Sequence, residues 1–422
     1  MELKSRRLRK CHTQEPGEDS LRIMIDGDVL RRSRGGIWRV TSQLESNLRA
    51  VRSAWRVSNV PSRASIERSN ESDCQTSNGS GSFPSRIMTL LKSLYGYTVW
   101  PQFLLPLNAL FSKPDWMICP NYVFPLVRAK RCVVIIHDTS NLVKQGRFHL
   151  EDVFIPRVSR LVIERWYGDV IAWYVHQAVK RAAAVVVPTF RVKHLLESLC
   201  SVKCPIYVVE WGVDPSWLDN GELTRVAKSG VDVVTESKEC VRNMVLCVNA
   251  HSAGNVAVIA NAVDRFNERW AAEGLQLYVC TVGHIEDIDR LPSNVNHVGH
   301  VEESTLRQLY SDALVVGVAK PDSGFGLPVL EALASGCPCI VKSDTAEAEV
   351  ASGHGVLLAD SDIGSWLRAL EQVAVDPDFR MELSLQGLEW AQKFTWIRTA
   401  EKLASIIESL ELEDGAVGLL NV

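Results

Sequence analysis

No apolar run in this 422-residue chain approaches the roughly 20 residues that cross a bilayer, which excludes a spanning helix from the reading. An excess of one charge is missing too. Lys and Arg number 46 against 50 Asp and Glu, and the net charge of −4 argues against wholesale nucleic-acid binding. The 11 cysteines show no zinc-knuckle spacing: Cys337 and Cys339 flank Pro338, too close together and with no second pair nearby. Cys132, Cys247 and Cys280 lie in apolar, strand-like runs and read as small buried hydrophobes, so the compartment reads as reducing and cytoplasmic. No Gly-x-x-x-x-Gly-Lys loop occurs, and Gly324-Phe325-Gly326 lacks the third glycine of a dinucleotide fingerprint. No metal site or resident cofactor is expected. Lys4, Arg6, Arg7, Arg9 and Lys10 are followed by no apolar core, so residues 1–20 read as a disordered tail rather than a secretory signal. An electrostatic membrane tether is the alternative reading of that tail.

The rest of the chain is balanced for real cores, with 46% hydrophobic and 23% charged residues. Leu21–Asp26 is a short apolar strand, Arg31–Gly36 a glycine-ending loop, and Ile37–Val51 has helical spacing. Strand, glycine loop, helix is the opening of a doubly wound sheet. Residues 61–85 are rich in Ser, Asn, Arg and Gly and read as a mobile loop. Strands follow at 131–136, 182–187 and 206–210, around a helix at 158–181. Residues 219–241 turn polar and lose periodicity, marking a linker. A second alternation follows: strands at 244–248, 275–282, 313–319 and 339–342, with helices at 256–269, 304–311, 365–375 and 379–395. The expected class is α/β: an N-terminal Rossmann-like domain over 21–218 and a second over 242–395. A last helix over 396–411 follows.

The most informative stretch is Pro321–Cys339. A Val-rich strand precedes it, Gly324 and Gly326 permit a tight turn with close ligand approach, and Pro328 suits the first turn of a helix. Such a helix start offers unpaired N–H groups and a positive dipole end to phosphate. Glu331, about one turn on, is within reach of polyol hydroxyls; the plain alternative is a structural turn with a solvated carboxylate. Gly35-Gly36 opens another helix in the same way, as a phosphate cradle or a simple entry turn. His137-Asp138 ends a buried strand, where open α/β sheets place ligand groups, though such a histidine is also often structural.

The wording of 324–331 resembles the donor signature of the retaining glycosyltransferases of family four, written Glu-Gly-Phe-Gly-Leu-Pro-x-x-Glu. Gly324, Phe325, Gly326, Leu327, Pro328 and Glu331 match it. The resemblance implies the GT-B fold: two Rossmann-like domains facing across a cleft, 21–218 on the acceptor side and 242–395 binding the donor, with the last helix crossing back to the first. It implies that Gly35, Gly36 and Gly324–Gly326 line a diphosphate, that Glu331 holds a ribose, and that His137 meets the donor sugar with Asp138 orienting it or capping the next segment. The implied partners are a nucleotide-diphosphate sugar, of mannose type by the family's His-Asp members, as co-substrate, and a glycan or lipid-linked acceptor.

Two departures stand out. Ser323 replaces the first Glu. The family's Arg-Lys-Asn triplet reads Ala253-Gly254-Asn255, and Asn249 replaces a Gly before it. Cations aimed at a leaving diphosphate are normally a major catalytic contribution. Lys320 and Arg39 are the candidate substitutes. The rival readings are a catalytically silent homologue serving as a scaffold in glycan assembly, or a GT-B sugar-nucleotide epimerase. Glu349 reads as a local cap. The aromatic run 86–111 reads as buried first-domain structure, with an acceptor- or membrane-facing surface, and so a peripheral site at the inner face, as the alternative.

Overall fold

The computed structural model describes residues 20–31, 35–60, 95–140, 142, 160–218, 243–318 and 323–420. The 61–85 segment, the 219–241 linker, Lys320 and nearly all of the 1–20 tail lie outside the described residues. Two six-stranded, wholly parallel sheets make up the described chain. The first runs β2-β1-β3-β4-β5-β6, from β1 (Arg22–Asp26), β2 (Arg56–Val60), β3 (Trp116–Cys119), β4 (Cys132–Ile135), β5 (Ala184–Val187) and β6 (Ile206–Val208). The second runs β12-β11-β10-β7-β8-β9, from β7 (Met244–Val248), β8 (Tyr278–Val282), β9 (Val295–Gly299), β10 (Ala313–Gly317), β11 (Cys339–Lys342) and β12 (Val356–Leu358).

The central strands are continuous apolar runs because helices cover both faces of each sheet. Every residue of β3, β4, β5 and β10 is buried. The edge strand β9 instead alternates between half-buried and exposed, as an edge should. On the first sheet lie α1 (Gly36–Val51), α2 (Leu105–Ser112), α3 (Arg160–Arg181) and α4 (Phe190–Leu199). On the second lie α5 (Ala253–Trp270), α6 (Glu303–Asp312), α7 (Leu327–Ala334), α8 (Ala346–Ala351), α9 (Ile363–Val375) and α10 (Pro377–Ala391). The sequence sets their starts: Thr189, Ser252, Thr345, Asp362 and Asp376 each accept a backbone N–H of the first turn.

The last helix, α11 (Trp396–Leu420), returns to the first sheet and runs past the 411 boundary read from sequence. Val213 N–H donates to the Phe394 carbonyl at 3.1 Å just before it. Arg52 then pairs with Glu408 at 2.6 Å, and the Trp116 indole donates to Glu411 at 2.6 Å. Among the described residues no helix is long and apolar enough to cross a membrane. The eight described cysteines form no disulfide with one another.

Candidate active site

Segments that follow β1, β4, β5, β10 and β11 meet in the crevice between the two lobes. The turn of Ser323–Gly326 is central. Gly324 and Gly326 adopt φ of +87° and +91°, a region that side-chain-bearing residues rarely occupy. Space demands glycine as well. A Cβ on Gly324 would overlap the His137 carbonyl oxygen of the other lobe, and one on Gly326 would come within 2.9 Å of Glu347 Cγ. The two lobes therefore touch at the residues that the sequence singles out. Thr189 Oγ1, just after β5, donates to the Gly324 carbonyl at 2.9 Å, and Ser323 N–H donates to Glu347 Oε1 at 2.7 Å.

His137 follows β4 and is buried. Its Nε2 lies 2.7 Å from the Pro120 carbonyl, which can only accept, so Nε2 carries the proton. Burial lowers the imidazole pKa against the opposing pull of that hydrogen bond. The neutral ring thus keeps Nδ1 as an acceptor. Trp211 packs 5.5 Å away between centroids, and Phe325 of the glycine turn lies 6.5 Å beyond Trp211. Asp138 does not orient the ring. Its Oδ1 accepts from Ser140 N–H at 2.9 Å and Ser140 Oγ at 2.6 Å, and its Oδ2 accepts from Tyr122 OH at 3.1 Å. Asp138 takes the capping role.

Glu331 sits on α7, its side chain only 5% exposed. Arg39, one turn into α1, reaches across the crevice and forms an ion pair with Oε1, while the buried Tyr310 hydroxyl donates to Oε2 at 2.9 Å. Burial raises the Glu331 pKa and Arg39 opposes it. Burial also pushes the Tyr310 phenol well up, so it remains a donor. Glu331 is therefore not a solvated carboxylate. Gly36 abuts the same place, since a Cβ there would meet Leu327 Cδ1 at 3.6 Å. Gly35 is the N-cap of α1, extended, and brings no side-chain cap to the helix start.

The remaining donor candidates are placed elsewhere. Asn249 follows β7 with φ of +53°, which explains how Asn stands where the resembling family has Gly: Asn tolerates the left-handed region. Asn255 is in the first turn of α5, its side chain donating to the Ala250 carbonyl at 2.6 Å. Ala253 N–H donates to Asp287 Oδ1 at 2.7 Å, so a carboxylate already occupies that helix start. The structure thus brings together Gly36, Arg39, Leu327 and Glu331, and joins His137 to Gly324 and Phe325. It does not bring the Asn249 or Asn255 side chains into those contacts.

Several residues escaped the sequence reading. Glu349 is no local cap: its carboxylate accepts Phe190 N–H at 2.7 Å and Arg191 N–H at 2.9 Å, binding the start of α4 across the lobes. Thr189, Glu347 and Tyr310 had no motif to mark them; a Thr after a buried strand was the only hint. Asp26-Gly27-Asp28 is an Asp-x-Asp directly after β1 that invites a metal reading. Asp26 Oδ1, however, accepts the Trp100 indole N–H at 2.8 Å and Asp28 N–H at 3.1 Å. Among the described residues no three or more His, Cys, Asp or Glu side chains gather as a metal cluster.

Comparison with known proteins places this arrangement. Residues 242–376 match the family model described as Glycosyl transferases group 1. The match lies within the second lobe. Over 172 residues the chain is 30% identical to D-inositol 3-phosphate glycosyltransferase of Corynebacterium diphtheriae, covering 38% of this chain and 40% of that protein. Over 102 residues it is 28% identical to O-antigen chain mannosyltransferase B of Escherichia coli, covering 24% and 27%. The chain thus spans less than half the length of these relatives. Whole-fold similarity is wider. WaaG, a glycosyltransferase involved in lipopolysaccharide biosynthesis, matches with a TM-score of 0.58 at 13% identity over 92% of this chain and 99% of that one. Sucrose-phosphate synthase from Thermosynechococcus elongatus matches with 0.58 at 15% identity, over 93% and 100%. Anabaena HepE in complex with UDP-glucose matches with 0.56 at 12% identity, over 92% and 99%. The fold is GT-B.

Proposed function

We propose that this protein is a glycosyltransferase that moves a hexose, of mannose type, from a nucleotide-diphosphate sugar to a glycan or lipid-linked acceptor with retention at the anomeric carbon. The observation that carries the reading is the contact between the Gly324–Gly326 turn and His137, with Arg39 and Glu331 in the same crevice. The relatives and structural neighbours support the reaction class; HepE was crystallised with UDP-glucose.

On this reading the ribose hydroxyls donate to Glu331, and the pyrophosphate lies on the open starts of α1 and α7, where N–H groups and helix dipoles favour an anion. Arg39, released from Glu331 by the ribose, supplies the cation that residues 253 and 254 lack, with Lys320 as the second candidate. No resident metal enters this account. His137 Nδ1 accepts a hydroxyl of the donor sugar and fixes the ring. The bond from the anomeric carbon to the leaving phosphate oxygen breaks. The acceptor oxygen bonds on the same face, and its proton passes to that phosphate oxygen.

A catalytically silent homologue is the second reading, favoured by the Asp287 carboxylate on the start of α5. The test is a donor panel read by mass spectrometry for released nucleoside diphosphate, alongside thermal stabilisation by each nucleotide. A ligand at one hundred times its Kd stabilises by about 2.7 kcal/mol. Diphosphate release that depends on acceptor supports transfer. Nucleotide stabilisation without turnover supports the silent homologue, and altered donor without acceptor an epimerase. Absence of stabilisation by every nucleotide overturns the donor site.

A further inference from the structure

A second surface of the first lobe is built for contact with something apolar. The chain from Tyr95 to Ser112 forms a wide helical segment and then α2, and its inner side is filled: Trp100, Leu105 and Ala109 are buried. Its outer side is apolar as well. Phe103, Leu107, Leu110 and Phe111 are 65%, 48%, 66% and 82% exposed, and their spacing of four, three and one residues stacks them on one helical face. A helix apolar all round belongs in a core or in lipid, and among the described residues this one is covered on a single side.

The charges beside the face are mainly basic. Between residues 86 and 137 the sequence holds one acid, Asp115, and it is paired with Arg22 at 2.9 Å. Exposed Lys113 ends α2, and exposed Val127 and Lys130 lie on the adjoining turn. That turn is held against α2 by Arg128, which donates to the Ala109 carbonyl at 3.5 Å and the Pro114 carbonyl at 3.2 Å. Aromatic and aliphatic side chains rimmed by lysine suit a bilayer with anionic headgroups. Continuity with the crevice points the same way. Trp100, within this segment, ties it to Asp26, at the carboxyl end of β1 where the crevice begins.

We propose that the face of Phe103, Leu107, Leu110 and Phe111 rests in the surface of an anionic membrane, beside the crevice, and so presents it to acceptors carried in that membrane. The proposal deepens the transferase reading by choosing lipid-linked acceptors, and its test needs no turnover.

The full chain is sedimented with vesicles of phosphatidylcholine alone and with 30% phosphatidylglycerol, in low and high salt. The expected result is binding to anionic vesicles that weakens with salt, and loss of about tenfold or more in F103S/L107S/L110S/F111S, whose substitutions lie on exposed positions. An unchanged circular dichroism spectrum and melting temperature show that the variant folds. K113Q/K130Q, which leaves the apolar face intact, is expected to lose several-fold on anionic vesicles only. No vesicle binding, or binding equal in the apolar variant, overturns the proposal. So does a concentration-dependent dimer that the same four substitutions abolish, since a second copy then covers the face. Vesicle binding with no nucleotide stabilisation would leave this surface standing and remove the donor-site reading.

Discussion

Replacing Arg39 with Ala would strand the Glu331 carboxylate, and the cost should depend on pH. In the closed crevice Glu331 keeps only the Tyr310 hydroxyl once the guanidinium is gone. Breaking a buried ion pair by removing one partner costs about 3–5 kcal/mol. Arg39 is 29% exposed at its side chain, so water can partly replace it, and the lower end, about 2–3 kcal/mol, is the reasonable expectation at pH 8. The carboxyl has an escape. Burial already raises its pKa, and Arg39 opposes that rise; without Arg39 the pKa climbs further. The folded state then binds a proton that the unfolded state releases, so stability falls as pH rises from the unfolded value, about 4.3, through the raised folded value. The deficit of R39A against the parent should therefore widen from pH 5 to pH 8. Glu331→Gln removes the charge, and R39A/E331Q should recover much of the loss at pH 8. Urea unfolding of all four proteins, followed by tryptophan fluorescence at both pH values, checks this. An equal deficit at pH 5 and 8, or a double variant equal to the sum of the singles, would refute the reasoning and show that the pair is not buried in solution.

Four further expectations follow from the same contacts. Gly324→Ala places a Cβ on the His137 carbonyl at a positive φ, so it should part the lobes there and lower diphosphate release by well over tenfold, measured by mass spectrometry. His137 has a folded pKa below its ordinary value, so its contribution to stability is present above about pH 6.5 and is lost as pH falls through the depressed value; H137Q should flatten that slope in thermal scans from pH 5 to 8. Glu349→Ala should remove two helix-start hydrogen bonds worth together about 0.5–2 kcal/mol and raise hydrogen exchange at Phe190 and Arg191. Asp287→Ala opens the start of α5; nucleoside diphosphate affinity measured by calorimetry should rise several-fold if the pyrophosphate reaches that helix and stay level if it does not.

Much of the fold was legible because buried parallel strands announce themselves. Val-Val-Ile-Ile at 133–136 and Ala-Val-Val-Val at 184–187 are unbroken apolar runs before turn residues. The strands that escaped lack this mark. Arg56–Val60 and Val295–Gly299 interleave polar residues because each lies at or near a sheet edge, and Trp116–Cys119 and Val356–Leu358 are too short for a period to show. At the site, the glycine turn was readable because positive φ and close approach leave few alternatives to glycine. The partners of Glu331 were not readable. Arg39 lies 292 positions away on the other lobe and Tyr310 21 positions away on a neighbouring helix, and no local pattern encodes contacts made by tertiary packing. Glu349 misled for the same reason: beside Thr345 it looks like a local cap, yet its oxygens belong to a helix of the other lobe.

The departures from the family pattern gain a common logic once the contacts are laid out. A cation on the second lobe would meet a diphosphate whether or not the crevice were shut. Here Ala253 and Gly254 bring none, and Asp287 holds the start of α5, so that lobe repels an anion at this point. The described cation that does reach the crevice, Arg39, comes from the first lobe and arrives only when α1 and α7 are close. On the proposed reading, charge neutralisation of the leaving group is then contingent on lobe closure. A donor bound to an open molecule would meet no guanidinium and remain intact. Closure in turn depends on uncharged contacts, the Gly324–His137 packing and the Thr189 hydrogen bond, and on Glu349 at the start of α4. Variants that loosen those contacts should therefore slow transfer while leaving nucleoside binding to Glu331 nearly unchanged. Transfer that survives such loosening would place the cation on the second lobe after all.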